Sequence, residues 1–133
     1  MLTAIGIQVE ANAQPGAVYF PANTRGDYSL PMSGWGTLTG EANYTLSSLV
    51  HTNTPATKLG AFNVRGYSNP TMDKLIEAAA VEMDAGKRKQ FLKEANALVA
   101  TDRPNLTIAS IVSASGMTKA ITIVPRPTKI RWP

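Results

Sequence analysis

The stretch SNPTMDKLIEAAAVEM, residues 68–83, constrains the fold of this chain more than any other. Asn69 can accept hydrogen bonds from the first free amides of a helix. Pro70 at the first helical position gives up an amide that had no partner there. Met72, Leu75, Ile76, Ala79 and Met83 then recur at the spacing of one helical face. DAGKR interrupts that stripe, and Phe91, Leu92, Ala95, Leu98 and Val99 form a second one that stops before Pro104. The pattern predicts two helices, 70–83 and 86–101, folded back on each other as a hairpin. In front of them, Gly66, Tyr67 and Ser68 form a loop that helix propensity does not explain.

Elsewhere the signals are shorter. Ile5, Ile7 and Val9 alternate with Gly6 and Gln8, the period of a half-buried strand. Pro15 suits the first turn of a short helix that ends in a turn at Gly26-Asp27. YSLPMSGW, residues 28–35, reads as a second strand running into a glycine-rich loop, and YTLSSLV, residues 44–50, as a short helix with Leu46, Leu49 and Val50 on one face. Residues 51–66 read as loop. NLTIASIVS and AITIVP, residues 105–113 and 120–125, are rich in β-branched residues and read as two more strands. The order β-α-β-α-αα-β-β gives an expected α/β class.

Composition limits the chemistry. The 133 residues contain no cysteine, which excludes thiol catalysis, disulfides and thiolate metal sites. The net charge of +4 brings nucleic acid into consideration. However, the bases are dispersed, and the densest run, Lys87 to Lys89, reads as a solvated helix face. The single histidine, His51, has no ligand-spaced neighbour and reads as a loop residue without a special role. GWGTLTG spaces its glycines unlike a dinucleotide-binding loop. Neither a P-loop nor a nucleophile-elbow motif occurs. The four Asp and five Glu are scattered, so no acid/base pair emerges, and the chain is expected not to be an enzyme. NYT and NLT match the three-residue glycosylation sequon. Trp35, between Gly34 and Gly36, is either a flat wall of a binding cleft or a core residue at a strand end.

Taken in order, IGI.VE, GDYSLPMSGWG, TGEANYTLSSLV, GYSNPTMDKLIEAA and KRKQFLKEANALVATDRPNLTI resemble the C-terminal part of the family 5 extracellular solute-binding proteins. These serve the dipeptide, oligopeptide, nickel and glutathione class of ABC importers. The family pattern G-D-[YF]-[DE]-L-x-x-x-G-W falls on Gly26 to Trp35, with Ser29 where an acidic residue is usual. G-Y-S-N-P-x-x-D falls on Gly66 to Asp73. R-x-x-x-x-x-E-A falls on Arg88 to Ala95, followed by the D-x-P stop at Asp102 to Pro104. The likeness covers roughly residues 2–125.

The resemblance implies part of a type II periplasmic-binding-protein-like two-lobed fold, a mixed sheet with flanking helices. Residues 1–133 would be the C-terminal portion, with the N-terminal lobe missing. It implies capture of a peptide-like solute (a dipeptide, oligopeptide or glutathione) without a cofactor, outside the cell in the periplasm or on a lipid anchor. A membrane permease would be the partner. The incomplete chain would expose apolar surface or self-associate. A nickel or other small-solute receptor, and a basic nucleic-acid-binding module, are the alternatives.

Many peptide-binding relatives have an aspartate in G-W-x-x-D where this chain has Leu38, and TGEA, Thr39 to Ala42, is similar to the glutathione-type branch. The expected ligand site is the loop Gly34 to Glu41. Trp35 would be its wall, Gly36 would permit close approach, and Thr37 and Thr39 would supply hydroxyls. Glu41 is either an anchor for a ligand ammonium or a carboxylate at a helix start.

Overall fold

The computed structural model describes residues 2–109. The described residues fall into two compact units, one ending at Pro31 and the other beginning at Met32. In the first, a 3-10 turn at Leu2–Ile5 precedes α1, Gly16–Arg25. Pro15 stands just before α1, and Gly26 closes it in the left-handed conformation at φ 85°. Tyr19 of α1 stacks on Tyr28 with ring centroids 5.4 Å apart. The Tyr28 hydroxyl donates to Gln14 Oε1 at 2.6 Å.

The second unit contains α2 (Ala42–Leu49), α3 (Pro70–Val81) and α4 (Ala85–Asp102). Asn69 Oδ1 accepts from the amides of Thr71 at 3.0 Å and Met72 at 3.3 Å. A cap of this kind contributes about 1 kcal/mol. The reversal between α3 and α4 spans residues 82–84, and Asp84 Oδ1 caps α4 by accepting from Lys87 N at 2.7 Å. Arg103, in the left-handed region at φ 49°, ends α4 one residue before Pro104.

The core lies where the three helices meet. Met72 and Ile76 of α3 are fully buried against Ala42, Leu46 and Val50 from the α2 segment and Ala95 of α4. Leu49, Leu75, Leu92, Leu98, Val99 and Tyr67 pack around them. Burying a side chain the size of Ile76 is worth roughly 1.5–3 kcal/mol. The predicted hairpin is therefore present. α3 ends at Val81, however, so Met83 at the end of the expected stripe lies beyond the helix and is exposed.

The expected α/β class is incorrect. Among the described residues there is no sheet, and the two-lobed fold with a mixed sheet gives way to an all-helical arrangement. The helix pair packs on α2 rather than on strands. Among the described residues, strand-like pairing is limited to one isolated bridge, Thr54 with Leu59. Ile5 to Val9 do not form a strand. Gly6 N donates to Thr3 O and Ile7 N to Leu2 O, so the local backbone turns, with Gly6 at φ 82°. Residues 28–35 form a bend and irregular backbone, and residues 105–109 are irregular as well. An alternating pattern becomes a strand only when another segment supplies the ladder hydrogen bonds. The rest of the 105–113 segment, and 120–125, lie outside the described residues.

Candidate functional site

Trp35 precedes α2 in a stretch without regular secondary structure. Its indole Nε1–H donates to Thr45 Oγ1 at 3.1 Å. The ring stacks on Tyr44, centroids 5.7 Å apart and planes at 19°. Phe62 approaches at 5.3 Å and 63°, nearly edge-on. Trp35 is thus half-buried, with one face covered by α2, while Phe62 is exposed. Gly36 is exposed beside it.

The rest of the loop is folded on itself. Thr37 Oγ1 donates to Glu41 O at 3.4 Å, and Glu41 N donates to Thr39 Oγ1 at 3.3 Å. Gly40 takes the left-handed conformation, φ 72°, that this return requires. Glu41 occupies the N-cap position of α2, but its side chain makes no cap hydrogen bond. It accepts instead a two-pronged pair from Arg88 of α4: Nε to Oε1 at 2.6 Å and Nη2 to Oε2 at 2.7 Å. That geometry is the strong form of a carboxylate–guanidinium pair. Arg88 is therefore not part of a purely solvated basic face. A ligand ammonium at Glu41 would have to share the carboxylate with Arg88.

Arg88's hydrogen bonds hold the Glu41 carboxyl below its ordinary value of 4.5 against the opposing effect of burial. A depressed carboxyl stabilises the fold above its unfolded value, and that contribution is lost as pH falls through the folded one. The loss thus lies below about pH 4.5. Asp102 adds to the same acid-side window, its carboxyl being lowered first by the Tyr67 hydroxyl and then by Asn69. In Glu41→Gln, the drop in urea midpoint between pH 7 and pH 3 should be smaller than in the parent. An equal drop would mean that the pair contributes nothing to the acid sensitivity.

A second polar network secures the loop before α3. Asn63 is buried, and its Nδ2 donates to His51 O at 3.0 Å and to Tyr67 O at 2.7 Å, while its Oδ1 accepts from Tyr67 N at 3.1 Å. The Tyr67 hydroxyl donates to Asp102 at 2.5 Å, and Asn69 Nδ2 donates to the same oxygen at 2.9 Å. Burial, and then the bond to Asp102, push the Tyr67 hydroxyl up to about 12. Tyr67 and Asn69 thereby clamp the start of α3 to the end of α4. Asp73 accepts from Thr52 N at 2.9 Å and from Thr52 Oγ1 at 2.6 Å.

His51 is not a role-less loop residue. It is buried, with Nδ1 2.7 Å from Thr52 O and Nε2 3.2 Å from Glu77 Oε1. Among the described residues, no cluster of three His, Asp or Glu side chains is placed to hold a metal. No described helix is long and apolar enough to cross a membrane.

The structure brings Trp35, Thr37, Thr39 and Glu41 into one loop, but the two threonines and the glutamate are already engaged within the protein. Sequence reasoning missed Tyr44, Thr45, Phe62 and Arg88. Reading 44–50 as a short helix already places Tyr44 and Thr45 on α2, but not against Trp35. Nothing local signals Phe62 or the pairing of Arg88 with a residue 47 positions earlier. Comparison with family models, curated proteins and solved structures finds no match.

Proposed function

We propose that this protein takes part in capturing a peptide-like solute, a dipeptide, oligopeptide or glutathione, for an ABC importer, with no chemical step. The observation carrying this reading is that the residues bearing the motif resemblance interlock. Glu41 of TGEA holds Arg88, which opens R-x-x-x-x-x-E-A. Tyr67 and Asn69 of G-Y-S-N-P hold Asp102 of D-x-P. Ala95, which ends the third motif, is buried in the core between the helices. Beside this frame, Trp35 and Phe62 offer an aromatic surface of the kind that lines small-molecule sites.

The reading places the protein outside the cytoplasmic membrane, periplasmic or lipid-anchored, working with a membrane permease. Leu38, Val81, Met83, Leu106 and Ile108 of the second unit are exposed. This suits cover by further receptor polypeptide or by another copy of the chain.

A thermal-shift screen with dipeptides, longer peptides, reduced glutathione and nickel tests the reading. A peptide or glutathione at about 100 times its dissociation constant should add about 2.7 kcal/mol of stability. Stabilisation by nickel alone would favour a metal receptor. No shift with any solute, together with salt-sensitive binding of single-stranded DNA, would overturn the proposal in favour of a nucleic-acid module.

A further inference from the structure

We propose that Phe62 is a specificity-determining contact that receives an apolar side chain of the solute, with Trp35 as its support; this rests on the solute-capture reading above. Phe62 is 58% exposed, although the backbone around it is held tightly. Its own amide donates to Ser48 O at 3.0 Å, and the Gly60 amide donates to Ser47 O at 2.8 Å. The next residue, Asn63, is buried and hydrogen-bonded to His51 O and Tyr67 O.

The phenyl ring is thus presented outward by an anchored turn, not by a slack loop. An aromatic side chain already fixed in this way loses little conformational freedom when a ligand covers it. Trp35 stands behind Phe62, with ring centroids 5.3 Å apart, and is itself backed by Tyr44 and tied to Thr45. That leaves Phe62 as the more accessible ring of the pair. Leu38, 83% exposed in the same loop as Trp35, adds to the apolar character of this region.

The charged groups of the loop argue for recognition of a side chain over a terminus. Glu41 and Arg88 satisfy each other in a paired fork. An apolar side chain needs neither of them, and covering Phe62 removes apolar surface from water on both partners.

Calorimetric titration of the protein with Ala-Ala, Ala-Leu and Ala-Phe, repeated in Phe62→Ala and Phe62→Leu, tests the assignment. The parent should bind Ala-Phe at least tenfold more tightly than Ala-Ala. Phe62→Ala should reduce that ratio to below threefold while changing Ala-Ala affinity less than twofold. Phe62→Leu should keep most of the preference. The unfolding midpoint should fall only slightly in Phe62→Ala, which loses the edge contact with Trp35, and less in Phe62→Leu. An unchanged preference in Phe62→Ala, or an equal loss for all three dipeptides, would overturn the role of Phe62 and leave solute capture standing. Failure of the parent to bind any of the dipeptides, or any solute of the wider screen, would overturn both.

Discussion

Gly60→Ala is expected to be the most damaging single substitution in the loop that joins α2 to α3. A Cβ at this position would lie 2.2 Å from the His51 carbonyl oxygen and 2.8 Å from both Cα and N of Asn53. All three are backbone atoms, so no side chain can swing aside. Gly60 also has φ of 64°, a region that alone costs a non-glycine residue roughly 1–2 kcal/mol. Relieving the clash would pull the Gly60 amide from Ser47 O and loosen the turn that carries Phe62. The combined loss should reach about 3–4 kcal/mol, at the upper end for point substitutions. A urea titration reads it as a lower midpoint with an unchanged slope. A midpoint within experimental error of the parent would mean that the 51–60 backbone adapts freely, and the account of a rigid turn would be wrong.

Asn63→Ala should cost nearly as much, about 3 kcal/mol. One buried side chain satisfies the carbonyls of His51 and Tyr67 and the amide of Tyr67. Each buried group left without a partner costs about 1–3 kcal/mol, with part recovered where water reaches it. Asn63→Asp separates hydrogen bonding from shape. The aspartate can still accept from Tyr67 N, but its carboxylate faces two carbonyl oxygens where the amide had donated. That repulsion raises the aspartate's folded pKa above its unfolded value, roughly 3.9. Protonation then favours the folded form. Asn63→Asp should therefore regain stability relative to the parent as pH falls through the raised value. Constant relative stability between pH 7 and pH 4 would show that the side chain does not face those carbonyls.

The two substitutions mark where local reading stops. Gly60 and Asn63 both lie in residues 51–66, which read from sequence as a polar loop without further structure. The loop's hydrogen bonds run to α2 carbonyls, to His51 and to Tyr67, and no sequence spacing encodes those partners. The candidate ligand loop divides the same way. A tryptophan between glycines marked Trp35 as a residue of interest. Its support by Tyr44 and Thr45 and its contact with Phe62 arise only when α2 and the later loop meet. Glu41 presented two local readings, ligand anchor and helix-start carboxylate. Its actual partner, Arg88, comes from a third element.

The sequence alone determined the helices. Asn69-Pro70, Gly26 and Pro104 are start and stop signals that act within a turn or so of their own positions, and the apolar stripes of α3 and α4 repeat with the pitch of a single helix. Tertiary structure decided the remainder. Ile5, Ile7 and Val9 have the alternation of a strand, but among the described residues no segment pairs with them, and the backbone at Gly6 and Ile7 turns locally. The junctions Glu41–Arg88 and Tyr67–Asp102 join residues 47 and 35 positions apart. A helix closes its hydrogen bonds within four residues, so its evidence is local. A sheet, an ion pair between elements or a buried amide hub depends on which distant segment arrives beside it, and packing settles that.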